Sequence, residues 1–230
     1  MPEFLELQKI IEVRFKNGDL LKEACTHRSY LNENPSWNLP HNERLEFLGD
    51  AVLELIATSY LFDAFPKQDE GRLTSIRAAL VNTQSLAHAA RSIGLDGYIL
   101  MSRGEAQDAG RARDVILANA FEAVLGAIYL DQGYQTAQRF VDKHILHKAQ
   151  EIFEQNLDKD PKSLFQEIVQ EQFKITPVYK VLKETGPEHN KRFFVGVFLE
   201  EREVAQGEGF SKQEAEIEAA RRGLYALKTS

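Results

Sequence analysis

Between His41 and Leu53 the chain reads His-Asn-Glu-Arg-Leu-Glu-Phe-Leu-Gly-Asp-Ala-Val-Leu, and no other stretch so narrows the folds open to it. Leu45, Leu48, Val52, Leu55 and Ile56 recur at helical period, which predicts one apolar side of a helix over residues 42–62. Glu43, Glu46 and Asp50 recur at i, i+3 and i+7, so three carboxylates stack along another side. Like charges at that spacing destabilise a helix by roughly a few tenths of a kcal/mol per pair. A fully solvated acidic face would tolerate them, but these carboxylates interrupt an almost continuous apolar run. Half-buried carboxylates require a cation, a partner or a raised pKa. Gly49, beside Asp50, costs about 1 kcal/mol relative to Ala inside a helix, which points to close approach by a ligand or a second backbone.

The rest of the chain bounds the class. Its 230 residues, 43% of them hydrophobic, suffice for one large or two small domains. No apolar run nears the ~20 residues of a membrane span, and the segment from Met1 to Glu12 has three glutamates and no basic leader region. Cys25 is the only cysteine, which excludes an internal disulfide and a cysteine metal cluster; a cytoplasmic protein is expected. The net charge is −7, of which −6 falls in the part through Lys159 and −1 after it. Contact with nucleic acid would therefore need local basic patches and divalent cations rather than a basic surface overall.

Read in order, residues 5–25 suggest one or two short helices parted at Asn17-Gly18-Asp19, with His27 following as a structural, hydrogen-bonded histidine. Leu73 to Ala90 reads as one helix, stopped at Gly94, with Arg72 and Arg77 on its polar side. Met101–Arg113 reads as a loop. Asp114–Leu130 is the second key helix, in which Glu122 is the only acid between Asp114 and Asp131 and follows Asn119 by three positions on the same side. One further helix, Thr136–Phe153, completes an all-α domain over residues 1–155. Residues 156–159 form a polar linker. A small α+β domain over residues 160–228 follows: a helix opened by Asp160-Pro161, strands over 178–185, 192–199 and 203–209, and a last helix over 212–227, in the order α-β-β-β-α. A Cys/His set for zinc, the Walker spacing and a nucleophile elbow are all missing from the sequence.

The twelve residues Asn42–Leu53 closely resemble the signature of ribonuclease III, the family that cuts double-stranded RNA, and Ala118–Ala127 resembles the family's other catalytic segment. Ser163–Glu167, Gly186–Phe193 and Gly207–Lys212, with Ala215, Glu216, Ala219 and Ala220, resemble the double-stranded RNA-binding domain. The resemblance implies an endonuclease using Mg²⁺, with Mn²⁺ able to substitute, and leaving 5′-phosphate and 3′-hydroxyl ends in the processing of rRNA and mRNA. By that resemblance Asp50 and Glu122 are the indispensable acids, Glu46 and Asn119 complete the metal site, and Glu43 and Glu70 are outer acids. Ser163, Gln166, Glu167 and Gln170 would face one minor groove of the duplex and His189 the next, with Lys191, Lys212 and Arg222 on phosphates. Two departures stand out: Asn119 occupies a position where the family usually has Asp, and Gln213 follows Lys212 where it has a second lysine. The first leaves open a catalytically weakened relative that only binds double-stranded RNA, alongside a structural or ribosome-associated factor. Spacing alone leaves Phe47 either in the core or at an interface. The family's homodimer, in which the matching Phe inserts into the partner, implies the interface.

Overall fold

The computed structural model describes residues 3–107, 109–156, 158–187 and 191–228. Two compact units divide the chain, Met1–Gln155 and Asn156–Ser230.

The first unit is helical. Helices α1 (Phe4–Ile10), α2 (Gly18–Ala24) and α3 (Arg28–Glu33) lead to the long α4 (Glu43–Ala64). His27 caps α3, its Nδ1 lying 2.8 Å from the Ser29 hydroxyl. Asn42 pins the start of α4: its amide donates to Thr26 O at 2.9 Å and its side chain to Ala24 O at 3.3 Å. The helix ends at Phe65-Pro66, whose ring excludes a further turn.

The single helix expected over Leu73–Ala90 is in fact two, α5 (Glu70–Val81) and α6 (Thr83–Ser92). Asn82 adopts extended backbone between them, and its side chain accepts from Ser85 N at 2.9 Å as the N-cap of α6. The apolar period ran across this break and hid it. Helix α7 (Arg111–Gln132) starts three residues before the expected Asp114, and the loop before it contains a short 3₁₀ turn at Glu105–Gln107. The helix expected over Thr136–Phe153 is also divided, into α8 (Tyr134–His144), a 3₁₀ turn (Leu146–Lys148) and α9 (Ala149–Gln155).

Helix α7 runs through the centre of the unit, with Leu117, Ala120, Phe121, Val124, Leu125 and Ile128 completely buried. The middle of such a helix is apolar nearly all round because protein packs on most of its sides. Helix α4 lies against it through Leu45, Gly49, Val52, Leu53 and Ile56. The buried arc is therefore rotated from the expected one: Leu53 is buried, Leu48 is partly covered, and Leu55 stands 57% exposed.

The second unit has the expected α-β-β-β-α order. Helix α10 (Pro161–Phe173) is capped by Asp160, which accepts from Ser163 N at 3.0 Å, and stops at Lys174 in the left-handed conformation. Strands β1 (Val178–Thr185), β2 (Arg192–Leu199) and β3 (Arg202–Gly209) form an antiparallel sheet in that order. Helix α11 (Lys212–Lys228) follows. Phe165 and Val169 of α10, Val197 of β2, and Ala219 and Ala220 of α11 form its core. The all-α domain followed by a small α+β domain is thus the observed architecture.

Candidate active site and RNA-binding surface

The active-site candidate is set by two glycines. A Cβ on Gly49 would stand 1.8 Å from the Glu122 carbonyl oxygen, and one on Gly126 would stand 2.3 Å from that of Leu45. Any side chain at either place would drive α4 and α7 apart, so both positions must be bare for the backbones to touch. That contact brings Glu46 and Asp50, one turn apart on α4, beside Asn119 and Glu122, one turn apart on α7.

The result is an excess of negative charge at half-buried positions. Glu122 is raised to about 7, first by burial and then by repulsion from Asp50, Glu46 and Glu54. Glu46 is also raised, first by burial and then by Glu43 and Asp50, while a hydrogen bond from the Asn119 side chain partly offsets this. Among the described residues no lysine, arginine or histidine forms an ion pair with Glu46, Asp50 or Glu122.

The remaining acids sit apart. Glu43, in the first turn of α4, is exposed between Arg28 at 3.5 Å and His41 at 3.8 Å. Glu70 opens α5 and lines a cavity of about 500 Å³ with Thr58, Phe62, Leu73 and Arg77; it is not among the charges that bear on Glu122. Sequence reasoning missed Glu54, one turn beyond Asp50 on the same face, although the i, i+4 spacing was there to find it. It also missed what occupies the two arginines. Arg77 Nε lies 2.9 Å from Glu54 and its Nη1 donates to the Thr58 hydroxyl at 2.7 Å. Arg72 donates to Phe153 O at 3.2 Å and covers the Phe153 ring. Both hold helices together. Phe47 is 81% exposed, so it is no part of this unit's core, and Leu55 and Phe62 (71% exposed) extend the apolar outer face of α4.

In the second unit, Ser163, Gln166, Glu167 and Gln170 are all exposed on α10. Glu167 pairs with Lys159, and Gln170 Nε2 donates to the Thr176 hydroxyl at 3.4 Å. Lys191 and Lys212 converge on Glu184, at 3.0 and 3.7 Å, and both approach the Phe193 ring, at 6.0 and 5.9 Å. Lys191 and then Lys212 hold the exposed Glu184 carboxyl below the usual carboxylate range. Arg222 is tied back to Glu218 at 2.9 Å and to Gln206 O at 3.1 Å. His189 lies outside the described residues.

Comparison with known proteins agrees with both halves of this picture. Residues 17–149 match the family described as Ribonuclease-III-like, and residues 161–227 match the double-stranded RNA binding motif. The chain belongs to the ribonuclease III family. It is 44% identical over 223 residues to Ribonuclease 3 of Chloroflexus aurantiacus, covering 96% of this chain and 90% of that one. Against Ribonuclease 3 of Sulfurovum it is 43% identical over 228 residues, covering 99% of this chain and the whole of the other. A solved nuclease domain of ribonuclease III from Campylobacter jejuni superposes with a TM-score of 0.57 at 40% identity, over 64% of this chain and 97% of that one. A second structure of the Campylobacter domain is described for flexibility in a region involved in its dimer formation; it has a TM-score of 0.55 at 41% identity, over 62% of this chain and 98% of that one. As a member of the ribonuclease III family the chain is an endoribonuclease with a double-stranded RNA-binding domain behind the nuclease domain.

Ribonuclease III enzymes generally depend on a divalent metal, and the donor set at the α4–α7 crossing suits one. Every donor there is an oxygen, the choice of hard Mg²⁺, and Glu46 and Glu122 are raised first by burial and then by the neighbouring carboxylates, both of which a cation would offset. Among the described residues no three His, Cys, Asp or Glu side chains are gathered to hold a metal alone. That is compatible with Mg²⁺, which usually keeps several waters, so that part of such a set would hold the ion's waters and not the ion itself.

Proposed function

We propose that this enzyme hydrolyses the phosphodiester backbone of double-stranded RNA at the α4–α7 crossing, with Glu46, Asp50, Asn119 and Glu122 around Mg²⁺. The observation that carries the reading is Glu122: a half-buried acid facing Asp50 and Glu46, raised to about 7 with no basic partner among the described residues. Bound Mg²⁺ would supply an activated water and neutralise the charge that grows on the reacting phosphate. The protein's own part is geometric and electrostatic. The bare Gly49–Gly126 contact fixes the distance between the two acidic edges. Asn119 holds Glu46 by donating to its carboxylate and contributes an amide oxygen without charge. Without a cation, burial and the neighbouring acids hold Glu122 at about 7, and a bound cation would favour its charged form. Asp50, the more exposed of the cluster, faces the solvent side from which a duplex would arrive. Glu43 and Glu70 are assigned outer roles toward RNA.

The second unit would grip the duplex, as such domains do over ~16 bp by shape, 2′-hydroxyls and phosphates. Ser163, Gln166, Glu167 and Gln170 are assigned to a minor groove, with His189 at the next and Lys191 and Lys212 on phosphates. The working form is a homodimer joined through the outer face of α4, which accounts for an aromatic ring as exposed as Phe47. No described helix is long and apolar enough to cross a membrane. We assign the enzyme to the cytoplasm and to rRNA and mRNA processing, with 5′-phosphate and 3′-hydroxyl products. Incubation with a long RNA duplex in Mg²⁺, Mn²⁺ or EDTA, for the parent and Glu122→Gln, tests the reading. Cleavage by the parent in either metal, and by neither protein in EDTA, is expected. Intact RNA in the presence of metal, with the duplex still bound, would instead favour a protein that binds without cutting.

A further inference from the structure

The acidic stripe on α4 runs through Glu43, Glu46, Asp50 and Glu54, spaced i, i+3, i+7 and i+11 along one edge of the helix. Bases answer both of its ends. Glu43 faces Arg28 and His41, and Glu54 faces Arg77 of α5, whose Nε lies 2.9 Å from the carboxylate. Glu46 and Asp50, between them, have no basic partner among the described residues. Arg77 is held twice, since its Nη1 also donates to the Thr58 hydroxyl at 2.7 Å. Thr58 lies one turn beyond Glu54, away from Asp50, so the guanidinium is fixed on the far side of the acid. The pair is thus a dipole with its negative end toward the α4–α7 crossing. In keeping with that orientation, Glu54 is among the charges that bear on Glu122 and Arg77 is not. The two side chains are 39% and 32% exposed, and an ion pair so open to water contributes little to a fold. Joining α4 to α5 is therefore a weak reason to add a further carboxylate to a crowded stripe.

We propose that Glu54 and Arg77 are positioning residues for the catalytic cation. Glu54 draws the ion toward the crossing by its charge alone, without ligating it, and Arg77 holds that carboxylate in the stripe and moderates its pull. A cation moving along the stripe meets paired charge at Glu43 and Glu54 and unpaired charge at Glu46 and Asp50, so it settles where the pairing stops. Glu54 is kept from becoming a ligand because its carboxylate is already taken; turning it to the metal would break its contact with a base that Thr58 also holds in place. Charge acts over several ångströms where a ligand bond cannot, and it is screened by salt where a ligand bond is not. The proposal rests on the placement of the cation among Glu46, Asp50, Asn119 and Glu122.

The test is calorimetric titration of Mg²⁺ into the full chain without RNA, at low salt and again in about 0.5 M KCl, where screening confines such effects to a few ångströms. At low salt Glu54→Gln should weaken Mg²⁺ binding by about two- to fivefold, the size of one charge acting on a divalent ion across a helical turn near a surface. Arg77→Gln should tighten it by a similar factor, because Glu54 then acts unopposed. Arg77→Lys keeps the charge and should stay within about twofold of the parent. Both shifts should shrink in high salt. A structural role for the pair would move Glu54→Gln and Arg77→Gln in the same direction, and that result, or no shift in either, would overturn the proposal. Loss of Mg²⁺ binding in Glu54→Gln at both salt concentrations would overturn it too, by making Glu54 a ligand. A parent that takes up no Mg²⁺, or a Glu122→Gln that takes it up as the parent does, would instead overturn the placement of the cation on which the proposal rests.

Discussion

Glu122→Gln separates the electrostatic reasoning from catalysis, because its effect on stability can be read without metal or RNA. Folding raises the Glu122 carboxyl from 4.5 to about 7. Between those values the folded protein binds more protons than the unfolded chain, so this group's contribution to stability falls as pH rises through the window. The penalty is absent below 4.5 and complete above 7. At 1.36 kcal/mol per pH unit the shift corresponds to about 3 kcal/mol, and partial solvent access lowers that to about 2. Gln has no charge to bury and escapes the penalty.

Thermal melts of parent and Glu122→Gln in EDTA, at pH 5 and pH 8, read this difference directly. Groups common to both proteins cancel. For a unit of this size about 2 kcal/mol corresponds to roughly 4–8 °C. The variant should melt within a degree or two of the parent at pH 5 and about 4–8 °C above it at pH 8. Mg²⁺ added at pH 8 should raise the parent's Tm more than the variant's, since only the parent offers the fourth oxygen-rich group as an anion. A difference between the two proteins that is the same at both pH values would refute the claim that Glu122 is a desolvated acid repelled by Asp50 and Glu46.

Asn119→Asp restores a charge beside the cation, so the Mg²⁺ midpoint for cleavage should fall several-fold while the metal-free protein melts earlier at pH 8; an unchanged or higher midpoint would mean that position 119 does not face the metal. Phe47→Ala should sediment mostly as monomer and cleave poorly, yet melt within a few degrees of the parent, because an 81% exposed ring contributes little to the fold; a variant still dimeric but melting far earlier would return Phe47 to the core. Gly49→Ala should cost about 3 kcal/mol or more by forcing α4 from α7, measurable by urea unfolding, and a loss under about 1 kcal/mol would contradict the backbone contact.

Much of this was legible in the chain itself, for identifiable reasons. Glu46, Asp50 and Glu122 stood out because a carboxylate inside an apolar helix is costly and therefore informative. The second unit was readable almost to the residue because its boundaries are chemical: Asp160-Pro161 opens α10 and period-two strands follow. What periodicity could not show is which neighbour a face meets. It put Leu55 on the inner side of α4, but the Gly49 contact rotates the helix so that Leu53 is covered instead. It also ran through Asn82, since a cap that redirects the backbone leaves the spacing of leucines and alanines intact. The Arg77–Glu54 pair joins two helices and has no signature in either alone.

The same crossing explains how an acidic helix is tolerated at the centre of a fold. The α4–α7 contact buries Leu45, Val52, Leu53 and Ile56 against a helix whose middle is itself buried, worth roughly 1.5–3 kcal/mol per large side chain. Those burials act against the ~2 kcal/mol that raising Glu122 costs. The repulsion that remains is relieved only when positive charge arrives. A site of this kind is formed before its metal and still favours it. Asn119 tilts that balance: by replacing one more anion with a donor to Glu46, it eases the metal-free fold and leaves the cation with one fewer charge to bind. The neutral residue at 119 therefore predicts a hardier empty site and a weaker grip on Mg²⁺ in the same molecule, and the melting and titration experiments on Asn119→Asp must move in opposite directions if that argument is right.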